Sequence, residues 1–166
     1  MNDRIKVLIA DDDEAMRRLV RTALETSPDV IVVGEARDGF QSVDLCRQLR
    51  PDVILLDLNM PRMDGLEAAG GMKCVHPTGK VIVWSAYSQE RLRNEAFAQG
   101  IWDYLVKGEN KLSDLVAAVH LAARGGSAYQ KGASSDIPAV GTRCYRRQEV
   151  RVSLRNAHAL GVGLRG

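Results

Sequence analysis

The stretch at residues 53–65 (VILLDLNMPRMDG) most constrains what this chain can fold into. It begins with four consecutive apolar residues, and such a short apolar run is typical of a strand buried on both faces of a parallel sheet. Asp57 follows the run directly. Pro61 cannot continue a strand, and Asp64 with Gly65 indicates a turn into a helix. The stretch therefore predicts a carboxylate at the carboxyl end of a buried strand, where open parallel sheets bind ligands.

The same succession of strand and helix recurs along the chain. Further short apolar runs occupy residues 5–10, 30–35, 81–84 and 103–106, and helical patterns are predicted to begin near residues 13, 39, 65, 88 and 112. Strands that alternate with helices predict an α/β fold, a doubly wound five-stranded parallel sheet with right-handed crossovers.

Two of the predicted helices carry a clear apolar side. The first has Met16 and Val20 on its apolar side, with Arg17 expected on the opposite, solvent-facing side. The second has an apolar side that begins with Phe40 and continues through Cys46. Both helices are therefore expected to pack these sides against the sheet.

The charge is distributed unevenly along the 166 residues. Residues 1–125 contain 16 basic and 19 acidic residues, a net charge of −3, whereas residues 126–166 contain 7 and 2, a net charge of +5. We interpret residues 1–125 as one domain and residues 126–166 as a linker and short basic C-terminal tail that is poorly ordered. The tail is too short and too poor in apolar residues to predict a helix-turn-helix, so it does not support sequence-specific DNA binding. Its net charge leaves weak, salt-sensitive binding to nucleic acid open.

Cysteine content and hydropathy predict the cellular compartment. Cys46, Cys74 and Cys144 have no metal-site or disulfide spacing, which favours reduced thiols in the cytoplasm. The N-terminal apolar run is too short for a signal peptide. No segment approaches the roughly 20 apolar residues of a membrane span. We therefore expect a cytoplasmic protein with no membrane association.

Polar residues that can act as metal ligands, nucleophiles or charged groups follow four of the predicted strands. Asp11 and Asp12 follow the first strand, Asp57 the third, Ser85 the fourth and Lys107 the fifth. In a parallel sheet these residues share one edge, where crowded carboxylates repel one another. Mg²⁺ relieves such repulsion because it prefers oxygen ligands. We expect Lys107 to add a positive charge at the rim of this site.

This group of residues is suited to phosphoryl transfer onto a carboxylate. Asp57 would act as the nucleophile and form an aspartyl phosphate. The metal ion, Lys107 and Ser85 would hold the phosphoryl oxygens, so that catalysis rests on position and charge. Each residue also has a simpler interpretation, as a helix cap or a solvated strand end, but their joint position at one sheet edge favours the functional one.

These segments resemble the receiver domain of bacterial two-component response regulators. The similarity extends over residues 4–125 and includes VLIADDDEAMRRLV at 7–20, VILLDLNMPRMDG at 53–65, VIVWSAYS at 81–88 and DYLVKG at 103–108. It implies a flavodoxin-like, CheY-like sheet with strand order 2-1-3-4-5. Gly108 after the lysine, and AVHLAARGGSAY at 118–129, are similar to the NarL/LuxR-type subfamily. The tail does not resemble the helix-turn-helix effector that usually follows in that subfamily.

The resemblance also implies roles for individual residues. Asp57 would accept a phosphoryl group from a phosphohistidine on a sensor histidine kinase, with Ser85 and Lys107 assisting. The implied Mg²⁺ ligands are the side chains of Asp11, Asp12 and Asp57 and the backbone carbonyl of Asn59. Ser85 and Tyr104 would form the switch that responds to phosphorylation.

The implied protein is a signalling switch in phosphorelay signal transduction and transcription regulation. It would catalyse only its own phosphorylation and dephosphorylation. Its partners would be the sensor kinase and a second copy of the chain, bound through the face of helix four, strand five and helix five or through helix one. Two alternatives stay open: a complete DNA-binding transcriptional regulator that acts through residues 126–166, and a Mg²⁺-dependent phosphohydrolase on a similar sheet.

Overall fold

The computed structural model describes residues 4–126, which form five strands that alternate with five helices. The strands are β1 Ile5–Ala10, β2 Val30–Ala36, β3 Val53–Leu56, β4 Lys80–Ser85 and β5 Asp103–Val106. The helices are α1 Glu14–Glu25, α2 Gly39–Leu49, α3 Gly65–Val75, α4 Glu90–Ala98 and α5 Leu112–Ala123. All paired strands are parallel and the sheet order is β2-β1-β3-β4-β5, which confirms the predicted fold.

Helices cover both faces of the sheet, and the alternation of side chains along each strand divides the core in two. Leu8 and Ile54 belong to a cluster with side chains of α2, α3 and α4. Val7 and Leu55, their neighbours in sequence, belong to a second cluster with side chains of α1 and α5. Because both faces are buried, the strands are nearly continuous apolar runs. Polar groups are therefore concentrated at the strand ends.

Aspartates begin three of the helices at the edge of the sheet. Asp13, Asp38 and Asp64 are the N-cap residues of α1, α2 and α3, and each side chain accepts a backbone N–H of its own first turn at 2.8–2.9 Å. An N-cap contact of this kind stabilises a helix by about 1 kcal/mol. The caps fix the point at which the chain leaves the sheet edge and enters each helix.

Helix α2 buries only part of the side that the sequence predicted, and Phe40 is the exception. Gly39, Ser42 and Cys46 face the core, whereas Phe40 is 45% exposed. A Cβ atom at Gly39 would lie 2.7 Å from the Met63 side chain, so this close contact fixes the rotation of the helix. Phe40 then projects outward, because successive helical residues are about 100° apart.

The described part of the chain ends just after α5. The indole Nε1 of Trp102 donates to the carbonyl of Gly126 at 2.7 Å. The predicted domain boundary, the basic tail and Cys144 fall at or beyond this point, and residues 127–166 lie outside the described residues, so these expectations stay predictions. Between residues 4 and 126, no helix has both the length and the apolar character that a membrane span requires.

Candidate functional site

The acidic residues meet at the carboxyl ends of β1 and β3. Ala10 pairs with Leu56 in the sheet, and the Asp57 N–H donates to the Ala10 carbonyl at 2.8 Å. Asp11 and Asp57 are therefore neighbours, with only 3% and 7% of their surfaces exposed. Asp12 is exposed, and a carboxylate oxygen from each of the three aspartates lies within 4.8 Å of the other two. We call Asp11, Asp12 and Asp57 the acidic cluster.

Lys107 lies against the acidic cluster rather than at its rim. Its Nζ donates to Asp11 Oδ2 at 2.7 Å and to Asp57 Oδ2 at 2.9 Å, and its side chain is 16% exposed. The expectation of a rim position was therefore wrong. The flexible four-carbon stem of a lysine allows its ammonium to reach across the sheet edge from β5.

Charge in the cluster is only partly balanced. Three carboxylates face one ammonium. Burial raises the pKa of Asp57 above its ordinary value, and the Lys107 hydrogen bond opposes this rise without cancelling it. Burial also lowers the pKa of Lys107, but its hydrogen bonds to Asp11 and Asp57 outweigh burial and leave the pKa raised, so the ammonium stays charged. A further cation would relieve the remaining repulsion.

The donor set and spacing of the cluster fit Mg²⁺. This ion binds oxygen at about 2.0–2.1 Å, so oxygens on opposite sides of it are roughly 4 Å apart. Carboxylate oxygens within 4.8 Å of one another reach that spacing with small side-chain movements. Asp11, Asp12 and Asp57 are therefore suitable ligands, and the rest of the coordination shell is open to water and backbone oxygen.

The loop after Asp57 is held close to the start of α3. The Asn59 N–H donates to Asp57 Oδ1 at 3.2 Å, and the Gly65 N–H donates to the Leu58 carbonyl at 3.0 Å. A Cβ atom at Gly65 would lie 2.5 Å from both the Asp57 carbonyl oxygen and Leu58 Cα. Only glycine permits this approach, so Gly65 helps to fix Asp57 at the sheet edge.

The two predicted switch residues contact the same backbone segment. Ser85 is fully buried, and its Oγ accepts the Tyr87 N–H at 3.2 Å. The Tyr104 hydroxyl donates to the Tyr87 carbonyl at 2.7 Å, and the Arg93 guanidinium lies 5.3 Å from the Tyr104 ring. Sequence reasoning missed Tyr87, because its contacts use backbone groups that leave no trace in the side-chain pattern.

Comparison with known proteins identifies this arrangement. Residues 7–120 match the family described as the response regulator receiver domain. The chain belongs to this family. The receiver domain accounts for the sheet order, for the acidic cluster at the strand ends and for the role as a phosphoryl-accepting switch of two-component signalling.

Relatives of this receiver domain differ in their activities. This chain is 39% identical over 119 residues to the nitrate/nitrite response regulator NarL of Escherichia coli (strain K12), covering 72% of this chain and 55% of NarL. It is 36% identical over 115 residues to a protein-glutamate methylesterase/protein-glutamine glutaminase of Pyrococcus horikoshii, covering 68% of this chain and 31% of that protein. The chain thus spans about half the length of NarL and about a third of the length of the methylesterase/glutaminase.

A solved structure supports the same assignment. The signal receiver domain of a NarL-type response regulator from Mycobacterium tuberculosis superimposes with a TM-score of 0.71 at 34% identity, covering 74% of this chain and 98% of that one.

A buried arginine beside the acidic cluster was also missed. Arg17 was expected on the solvent-facing side of α1, but it is 3% exposed. Its Nη1 donates to the Asp11 carbonyl at 2.7 Å and its Nε to Glu35 Oε2 at 3.2 Å. Apolar periodicity assigns every arginine to the polar side, so only a search for a carboxylate partner on another element could have found this contact.

Proposed function

We propose that Asp57 is the phosphorylation site of this receiver domain and that its phosphoryl donor is a phosphohistidine on a sensor histidine kinase. The observation that carries the proposal is the ammonium of Lys107, which bonds at once to Asp57 and to Asp11 at the mouth of the sheet. An electrophilic phosphoryl group needs both a carboxylate nucleophile and nearby positive charge, and this contact supplies the two together.

The acidic cluster and the backbone carbonyl of Asn59 would hold Mg²⁺. When bound, the ion offsets the negative charge of the carboxylates and of the phosphoryl oxygens. Asp57 would attack the phosphorus, and the P–N bond would break with its electron pair leaving on the imidazole. Lys107 would exchange a carboxylate contact for a phosphoryl oxygen, and Ser85 would donate its hydroxyl hydrogen to another.

The switch would use the contacts that Ser85 and Tyr104 share. When the Ser85 hydroxyl turns toward the phosphoryl group, the Tyr87 N–H loses its acceptor. Tyr104 holds the carbonyl of the same residue, so the rearrangement reaches β5 and the neighbouring surfaces of α4 and α5. That face, or α1, would then bind a second copy of the chain. A cytoplasmic location stays a prediction.

The assignment is tested with acetyl phosphate and MgCl2 by intact-mass measurement of the whole chain. Wild type should gain one phosphoryl group and Asp57→Asn none. Asp64→Asn is the matched control, because Asp64 lies in the same loop and asparagine also serves as an N-cap. An Asp57→Asn protein that gains phosphate as wild type does would disprove the assignment.

The same reaction separates a signalling switch from a phosphohydrolase. We propose that the protein catalyses only its own phosphorylation and slow dephosphorylation. Added small phosphoesters should therefore remain intact while the phosphorylated protein returns to its original mass. Continuous release of phosphate from such esters, in proportion to protein concentration, would favour the hydrolase.

A further inference from the structure

We propose that Arg17 is a positioning residue that strengthens Mg²⁺ binding by the acidic cluster, because it holds the peptide group between Asp11 and Asp12. The inference rests on the proposed function, since it takes the cluster to be a Mg²⁺ site. Arg17 itself would touch neither the ion nor the phosphoryl group.

The contact between Arg17 and Asp11 acts on both neighbouring aspartates. Arg17 Nη1 donates to the Asp11 carbonyl oxygen at 2.7 Å. That carbonyl belongs to the planar peptide group that joins Asp11 to Asp12. The orientation of this plane sets ψ of the first residue and φ of the second. It therefore sets the directions in which both carboxylates leave the backbone.

Arg17 is itself held rigidly. It is 3% exposed, and its Nε donates to Glu35 Oε2 at 3.2 Å. Glu35 lies on β2 beside Ile9 of β1, and Arg21 binds its other carboxylate oxygen. The planar guanidinium loses little freedom when it bridges two partners. It thus links the Asp11 carbonyl to a fixed point on the sheet.

The other contacts of Asp11 do not replace this link. Its N–H donates to the Ala36 carbonyl at 3.1 Å, and its carboxylate accepts the Asp13 N–H at 2.9 Å and the Lys107 ammonium. The carboxylate contacts compete with a bound cation for the same oxygens. The Arg17 contact is made to the backbone, so it persists when the carboxylate turns toward a metal ion.

Charge and orientation predict opposite effects when Arg17 is removed. Loss of a positive charge near a cation site would strengthen Mg²⁺ binding. Loss of orientation would weaken it, because residues that orient metal ligands typically change affinity by roughly 10-fold to 100-fold. The sign of the change therefore distinguishes a positioning role from a purely electrostatic one.

The test is titration of the full chain with MgCl2, followed by tryptophan fluorescence. Trp84 is a suitable reporter because it lines the same small cavity as Asp11 and Asp57. Arg17→Met should bind Mg²⁺ roughly 10-fold more weakly than wild type. Arg18→Met is the matched control, since the Arg18 side chain is 76% exposed, and it should bind as wild type does.

Thermal unfolding of each variant separates positioning from stability. All titrations are run well below the unfolding midpoint, so a variant that is less stable but binds Mg²⁺ as tightly as wild type, or more tightly, overturns the inference. If Arg17→Met does not fold, Arg17→Lys decides. Lysine has a single donor atom in place of the Nε and Nη1 atoms with which Arg17 reaches its two partners. Weaker Mg²⁺ binding is therefore expected, and wild-type affinity overturns the inference. A wild-type chain that does not bind Mg²⁺ would instead overturn the proposed function.

Discussion

At the scale of single residues, Lys107 is the main compensation for the charge of the acidic cluster. Lys107→Met leaves Asp11 and Asp57 buried without their shared cation. We expect the free energy of unfolding in metal-free buffer to fall by roughly 2 kcal/mol, as for the loss of hydrogen bonds to charged groups. MgCl2 should restore much of this loss, because it neutralises the same carboxylates. Urea denaturation with and without MgCl2 measures both effects.

Lys6→Met serves as the control for the Lys107 substitution, because Lys6 is exposed on β1. The Lys6→Met substitution should change the free energy of unfolding by less than about 0.5 kcal/mol. MgCl2 should stabilise this variant as much as it stabilises wild type. If Lys107→Met were as stable as this control in metal-free buffer, Lys107 would contribute only to the phosphorylated state.

Glu35 should make stability depend on pH in acid. Burial raises its pKa, but the hydrogen bonds from Arg21 and Arg17 outweigh burial and leave the pKa below the ordinary value of 4.5. The folded state therefore favours the carboxylate. Its stabilisation is complete above pH 4.5 and is lost as the pH falls through the lowered pKa.

Glu35→Gln is expected to remove this contribution. The variant should be less stable than wild type at neutral pH by roughly 1 kcal/mol, and the difference should shrink as the solution becomes acidic. Glu25→Gln is the control, because Glu25 is 54% exposed in an i,i+4 pair with Arg21, and such pairs contribute little. Thermal unfolding as a function of pH measures all three proteins. A constant difference between wild type and Glu35→Gln would contradict the prediction.

At the scale of secondary structure, two adjacent glycines in α3 differ in environment. A Cβ atom at Gly71 would lie 3.0 Å from Val43 Cγ2, within the contact between α2 and α3. At Gly70 it would lie 3.1 Å from the Gln99 Oε1 atom, the end of a flexible side chain. The close approach of α2 explains a glycine at position 71 of α3, although glycine is less favourable than alanine inside a helix.

The two glycines therefore predict opposite outcomes for the same substitution. Gly70→Ala should stabilise the protein by roughly 0.5–1 kcal/mol, the helical preference for alanine, because Gln99 can move. Gly71→Ala should gain nothing or lose stability, because α2 must shift to admit the methyl group. Each variant is the control for the other in urea denaturation. Equal stabilisation by both substitutions would show that the contact between α2 and α3 accommodates the added methyl group without loss of stability.

At the scale of the whole molecule, the described residues contain both halves of the core. A chain that ends at Gly126 should therefore unfold at the same urea midpoint as the full chain and accept phosphate from acetyl phosphate. A chain that ends at Ala123 should have a lower midpoint, because Trp102 Nε1 loses its acceptor at Gly126. A large loss of stability on truncation at Gly126 would mean that residues 127–166 contribute to the fold.

The same truncation tests the basic tail. Residues 126–166 carry a net charge of +5, which predicts salt-sensitive binding to nucleic acid without sequence preference. In a gel shift with random DNA, the full chain should bind at low salt and lose binding at moderate salt, and the chain that ends at Gly126 should not bind. Preference for one DNA sequence at moderate salt would instead establish the DNA-binding regulator.

Features with short-range causes were predictable from the sequence. The apolar runs identified all five strands, because a strand buried on both faces has no room for polar side chains. Turn residues located the helix starts, although Asp13 is the N-cap of α1 rather than part of its first turn. Asp57 could be placed at a strand end because the apolar run and the turn residues that follow it are adjacent in sequence. Parallel pairing of the strands then brings the carboxylates to one edge of the sheet.

Features that depend on distances between elements were decided only by the tertiary structure. Lys107 binds two carboxylates because the sheet order brings the carboxyl ends of β1 and β3 within reach of its side chain. Arg17 is buried because Glu35, distant in sequence, supplies a partner, and Phe40 is exposed because a contact at Gly39 fixes the rotation of α2. Periodicity records which side of an element is apolar, but a buried charge or a rotated helix is stabilised by partners from other elements.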